Sequence, residues 1–200
     1  MTDELIRAIA LADTPARMVA AVQKLAATKD VAAIPTLIAV FGYNNPTAAA
    51  VAALALTELG ELAVPQLLEQ IDDYNYGARA YSIRTLAAIA DPRALDALIN
   101  AAITDFAPSV RRAAAKGLGN LHWQKLGFPE SQTAPLRALE ALLHISQDSE
   151  WSIRYAAVVG LQALAKIPDL QHPIRARLEY MLASDTEKAV RARVLLAQSQ

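Results

Sequence analysis

The chain contains no cysteine. That excludes a disulfide framework, a thiolate metal site and a thiol nucleophile of its own. Glycine is scarce, 7 residues in 200, and neither a glycine-rich phosphate loop nor a Gly-x-Ser-x-Gly elbow occurs. No stretch of about 18 apolar residues runs without a charge, so no membrane span is expected. An excess of one sign of charge is also missing: 19 Lys and Arg meet 20 Asp and Glu, a formal net charge of −1. Such a chain lacks the basic field that non-specific nucleic-acid binding requires. The start, Met1-Thr2-Asp3-Glu4, is acidic and carries no signal-peptide n-region. A cytoplasmic location is the expectation.

Alanine and a repeated local pattern fill the space. Apolar residues make up 54% of the chain, above the usual value of about 45–50%. Most of the excess is Ala, the strongest helix former and small enough to let helices approach closely. Four times an Asp is followed by five residues and then an Arg: Asp73/Arg79, Asp105/Arg111, Asp148/Arg154 and Asp185/Arg191. Each Arg opens an alanine-rich helical stretch, and successive Args are 32, 43 and 37 residues apart. A fixed pattern at such periods marks stacked repeats rather than one closed core.

Apolar periodicity and turn residues divide the chain into six helix pairs. First helices are expected at roughly 4–11, 31–41, 63–71, 93–103, 134–146 and 171–182, and second helices at roughly 15–27, 46–59, 77–90, 108–122, 151–166 and 187–198. Pro35 and Pro65 fit a first helical turn, where a missing N–H costs nothing. The second helices share a Leu expected to be buried, at Leu25, Leu56, Leu86, Leu118 and Leu161, with spacings of 31, 30, 32 and 43 residues. The jump to 43 is an insertion at about 122–133, which Gly127 and Pro129 make a loop rather than extra helix. The expected fold is all-α: a right-handed α-solenoid of about six HEAT-like helix pairs, one domain over 1–200. A period near 31 is short for HEAT repeats, which run about 40 residues or more.

Stacking gives the Asp-x5-Arg pattern a mechanical role. The Asp lies in the turn within a pair and the Arg in the first turn of the second helix. Each Arg then meets the Asp of its own or the neighbouring repeat, forming a ladder of partly buried pairs that suits the arginine fork. These residues read as scaffold. Met18 and Ala49 occupy the Arg positions of the first two pairs, so that end is a cap or docks a partner.

No catalytic constellation of the chain's own emerges. His122, His144 and His172 lack metal-ligand spacing, and acidic pairs such as Asp72-Asp73 sit in turns, where capping explains them. In a HEAT stack the second helices line a groove. Counted from the ladder Arg, the groove positions are Ala80/Arg84/Ala87, Arg112/Lys116/Gly119 and Tyr155/Val159/Gln162. The middle is basic and floored by small residues, and Tyr74, Tyr76, Phe106 and Trp151 gather in the turns leading to it. Cations flanked by rings suit a flat, conjugated dianion. Composition alone favours the plainer alternative, a solvated basic stripe with rings packed under turns.

The segment Ser109-Val110-Arg111-Arg112-Ala113-Ala114-Ala115-Lys116-Gly117-Leu118-Gly119-Asn120-Leu121 closely resembles the short HEAT-like repeat named after phycobilisome lyases. Tyr76-Gly77-Ala78-Arg79-Ala80-Tyr81 and Trp151-Ser152-Ile153-Arg154-Tyr155-Ala156-Ala157-Val158-Val159-Gly160-Leu161 resemble the F-type subunits of cyanobacterial phycocyanobilin lyases. The resemblance covers nearly the whole chain. It implies a subunit that, with an E-type partner, attaches phycocyanobilin through a thioether to a cysteine of the phycocyanin α subunit. The thiol belongs to the acceptor, in keeping with its absence here. Related lyase-isomerases carry a His-Cys pair in this subunit, so plain ligation is expected, with the bilin as substrate and no cofactor or metal. On this reading Arg84, Arg112 and Lys116 pair with the propionates, and Tyr74, Tyr76, Trp151 and Tyr155 stack on pyrrole rings. Asp72 or Asp73 is the candidate for hydrogen bonding to the pyrrole nitrogens, with the ladder holding the prior claim on Asp73. The partner is expected on the first two pairs, at Phe41, Tyr43 and the helix over 48–55. The alternative is a non-catalytic HEAT scaffold or adaptor in phycobilisome assembly or degradation.

Overall fold

The computed structural model describes residues 1–71 and 75–199. Those residues form helices, 3-10 turns and loops, and they divide into two compact units, Met1–Ile89 and Ala90–Gln200.

In the first unit α1 (Thr2–Ala10) pairs with α2 (Pro15–Ala26), α3 (Ile34–Ala39) with α4 (Pro46–Leu59), and α5 (Val64–Glu69) with α6 (Tyr76–Ile89). In the second, α7 (Leu95–Thr104) pairs with α8 (Pro108–Leu118), α9 (Glu130–Ile145) with α10 (Trp151–Leu164), and α11 (Gln171–Ser184) with α12 (Lys188–Gln198). The six expected pairs are present, with ends shifted by a few residues. Several first helices are shorter than their apolar stripes, because 3-10 turns such as Val31–Ala33, Gly60–Leu62 and Pro92–Ala94 lead into them.

Local chemistry sets the starts. Pro15, Pro46 and Pro108 open α2, α4 and α8, where their fixed φ suits the first turn. The Thr14 and Asn45 side chains accept the Arg17 and Ala48 N–H groups as caps. Asp105, Asp148 and Asp185 each accept the N–H two residues on, from Ala107, Glu150 and Glu187 at 2.8–2.9 Å. This Asx turn fixes the corner between the helices of a pair.

Leu25, Leu56, Leu86, Leu118 and Leu161 are all fully buried, each contributing on the order of 2 kcal/mol from burial. The closest packing joins α8 and α10. A Cβ on Gly119 would stand 2.1 Å from the Gly160 carbonyl oxygen, and one on Gly160 would stand 2.4 Å from the Ala115 carbonyl oxygen. Only glycine at both positions lets these backbones meet.

The insertion departs from expectation. Its last residues are helical, because α9 starts at Glu130 rather than at Ala134. Pro135 lies inside α9, buried, and has no N–H to give the carbonyl one turn earlier.

Candidate functional site

Two rungs of the expected ladder are seen among the described residues, and each joins an Arg to the Asp of the following pair. Arg111 Nη2 donates to Asp148 Oδ2. Arg154 grips Asp185 with both prongs, Nε to Oδ2 at 2.8 Å and Nη2 to Oδ1 at 2.9 Å. The same Args tie their own pairs together. Arg111 Nε donates to the Ala102 carbonyl, Arg154 Nη1 to the Asp148 carbonyl and Arg191 Nη1 to the Asp185 carbonyl. The Arg154 hydrogen bonds hold the Asp185 carboxyl below its ordinary value, helped by the Glu187 N–H and opposed by burial. Asp185 in turn raises Arg154. The ladder is a scaffold, as its spacing indicated. In the first unit Arg79 is buried with its guanidinium 5.9 Å from the Tyr76 ring centroid.

Where the ladder is missing, neutral donors replace it. Asn45 Nδ2 donates to the Pro15 carbonyl at 3.0 Å, and the Tyr81 hydroxyl donates to the Pro46 carbonyl at 3.3 Å. The proline that opens one second helix thus accepts from the next pair. The first two pairs are also joined by an exposed ion pair, Lys29 Nζ to Glu58 Oε2 at 3.3 Å.

The expected bilin contacts divide between the units. Arg84 and Tyr76 belong to the first, on α6. Arg84 is exposed, its guanidinium 6.0 Å from the Tyr81 ring centroid. Arg112, Lys116, Trp151 and Tyr155 belong to the second, on α8 and α10. Arg112 Nη1 donates to Ser152 Oγ at 3.0 Å, so it stands beside the exposed Trp151 that opens α10. Lys116 and Tyr155 lie one turn further along the same helices, with Lys116 exposed and Tyr155 half-buried. Asp72, Asp73 and Tyr74 lie outside the described residues. Among the described residues, no group of His, Cys, Asp and Glu side chains is placed to hold a metal ion.

Three expectations are corrected. Phe41 is 2% exposed and stacks on Tyr81 with centroids 5.3 Å apart, so it is core and offers no partner surface. Tyr43, next to it, is 43% exposed and remains available. Ala80 and Gly119 are buried rather than groove floor, since Gly119 faces the α10 backbone. Val159 and Gln162 do face open space. They line a cleft of about 870 Å³ in the second unit, bounded by α10, α11 and α12. Arg112, Lys116, Trp151 and Tyr155 are not among its lining residues.

The HEAT repeats family matches residues 64–162. Over all 200 residues the chain is 80% identical to the phycocyanobilin lyase subunit beta of Nostoc sp. strain PCC 7120, covering 100% of both. The chain belongs to the family of phycocyanobilin lyase beta subunits. It is also 45% identical to the phycocyanin alpha phycocyanobilin lyase CpcF of Synechocystis sp. strain PCC 6803, over 96% of this chain and 91% of that one. A chain in the solved complex of CpcE and CpcF of phycocyanin lyase from Nostoc sp. PCC 7120 superposes with a TM-score of 0.83. That chain is 82% identical, and the match covers 84% of this chain and 99% of that one.

In this member of the lyase beta-subunit family, sequence patterns missed two braces of the second unit. Arg177 on α11 donates to the hydroxyl and carbonyl of buried Ser146 at 2.8 and 3.0 Å, and burial lowers its guanidinium. Arg193 on α12 is buried and donates to Gln162 Oε1. Neither Arg follows a turn Asp at the ladder spacing, so no repeat signalled them.

Proposed function

We propose that this chain is one subunit of a heterodimeric bilin lyase. Paired with an E-type subunit, it attaches phycocyanobilin to a cysteine of the phycocyanin α subunit. The observation that carries the proposal is end-to-end identity of 80% with the Nostoc lyase beta subunit. The likeness to a chain of the CpcE–CpcF complex supports the paired state. No described helix is long and apolar enough to cross a membrane, which fits a chain working in the cyanobacterial cytoplasm alongside its acceptor.

The chemistry asks little of this chain's own nucleophiles. The acceptor thiol adds across the ethylidene double bond of the bilin. The sulfur bonds to the ethylidene carbon, the thiol proton ends on the adjacent ring carbon, and nothing leaves. No electrons are exchanged with a third party, so bilin is the substrate and no cofactor is called for. What remains is orientation: one bilin conformation, one face open to sulfur.

The strip along α8 and α10 suits that task. Arg112 and Lys116 are cations one turn apart, and Trp151 and Tyr155 are rings about one turn apart on the helix beside them. A propionate pairs with the first two and pyrrole rings stack on the second two. Arg84 and Tyr76 belong to the first unit and are not part of this strip. Tyr43 offers a contact to the E-type subunit. The test is chromophore transfer by the heterodimer carrying Arg112→Ala with Lys116→Ala. The proposal expects transfer to slow by about tenfold or more, the loss of at least one charge-assisted hydrogen bond. Unchanged transfer would remove the strip from the site.

A further inference from the structure

The cleft in the second unit holds a set of side chains that the stack itself does not use. One wall is apolar, made by Val159 of α10 and by Ile174 and Leu178 of α11. Lys166, just past the end of α10, and Arg175 on α11 line the cleft, and neither has an ion-pair partner among the described residues. Glu179, one turn beyond Arg175, adds a single acid. A third cation stands behind the lining. Arg193 holds Gln162, which lines the cleft, and its Nη1 is buried without an acceptor. Arg193 does not itself line the cleft and acts there by holding Gln162.

The cleft also continues the strip described above. Asn120 lies one turn past Lys116, and Val159 one turn past Tyr155, and both line the cleft. The volume of about 870 Å³ falls within the range of roughly 300–1,000 Å³ that small-ligand sites occupy. Two unpaired cations against one acid favour a dianion. An apolar wall favours rings, and the acid can accept from ring N–H groups. A linear tetrapyrrole dicarboxylic acid carries all of these complements.

We infer that this cleft binds one of the bilin's two propionates, which stand on its central pyrroles, with Lys166 and Arg175 as its carboxylate partners and Glu179 facing the pyrrole N–H groups. The inference rests on the lyase reading above and adds to it a place for the ligand that the repeat pattern did not indicate. In this arrangement Arg112 and Lys116 take the other propionate, Trp151 and Tyr155 stack on rings, and the cleft anchors the first propionate. The acceptor thiol then approaches from the strip side.

The decisive experiment titrates phycocyanobilin, and its dimethyl ester, into the heterodimer and follows the bilin absorption band. Wild-type complex is compared with Lys166→Ala/Arg175→Ala; both residues are exposed, so the variant is expected to fold. The free acid should bind the variant about tenfold or more weakly than wild type, the size of one lost charge-assisted hydrogen bond. The ester should bind both proteins alike, so that the variant's preference for acid over ester shrinks by the same factor. A variant that keeps wild-type affinity for the acid and the same preference over the ester overturns the cleft assignment while the lyase reading stands. A wild-type complex that neither binds nor transfers the bilin overturns both.

Discussion

Asp185 carries the clearest consequence at the scale of a single residue. Its side chain is 5% exposed and takes both prongs of Arg154. Because its folded-state value is lowered, it contributes stability above the unfolded carboxyl value of about 3.9. That contribution is lost as pH falls through the lower folded value. Asp91, buried and hydrogen-bonded by Arg93, behaves in the same direction. Acid unfolding monitored by circular dichroism should therefore begin as pH drops below about 4. In Asp185→Asn the dependence on pH should be shallower, and stability at neutral pH should already be lower. Arg154→Ala should cost about 3 kcal/mol in denaturant unfolding, because it leaves a buried carboxylate unmatched. Arg111→Ala should lower the melting temperature for the same reason. An unchanged melting curve in both Arg variants would remove the ladder from the account. Phe41 and Tyr43 separate core from surface. Phe41→Ala should destabilise by about 3–5 kcal/mol, whereas Tyr43→Ala should stay within about 0.5 kcal/mol and act, if at all, on assembly.

Among elements, the α8–α10 contact makes the sharpest demand. Gly160→Ala places a methyl group 2.4 Å from the Ala115 carbonyl oxygen, so the helices must separate. A cost of about 1–3 kcal/mol is expected from such overpacking. Gly127→Ala meets nothing within 4 Å and serves as the neutral control in the same denaturation series. How much of this was legible follows from what repeats. The shared Leu positions and the Asp-x5-Arg spacing recur, so periodicity located the six helix pairs and the rungs at Arg111 and Arg154. Single events left no period. Nothing local indicated that α9 begins a turn before Ala134 and takes Pro135 into its interior. Gly119 and Ala80 were placed in the groove by counting residues. Counting gives the angle around a helix but not the distance to the helix beside it, and there the backbones touch. Phe41 read as surface because its partner, Tyr81, is 40 residues away.

For the whole molecule, the near-neutral charge and the missing thiol limit what the chain does alone, and the family supplies the rest. That Arg112, Lys116, Trp151 and Tyr155 lie together was partly legible, since they share the adjacent helices α8 and α10. The cleft was not, because Lys166, Arg175 and Glu179 come from a turn and from a first helix, which the groove count never sampled. The central claim is that this chain is an obligatory half of a bilin lyase rather than a passive scaffold. It is tested most directly by mixing phycocyanobilin and apo-phycocyanin α subunit with the E-type subunit, with and without this chain. Covalent bilin on the denatured α subunit is then measured over time. The account predicts rapid attachment only when both subunits are present. Equal attachment by the E-type subunit alone would contradict it.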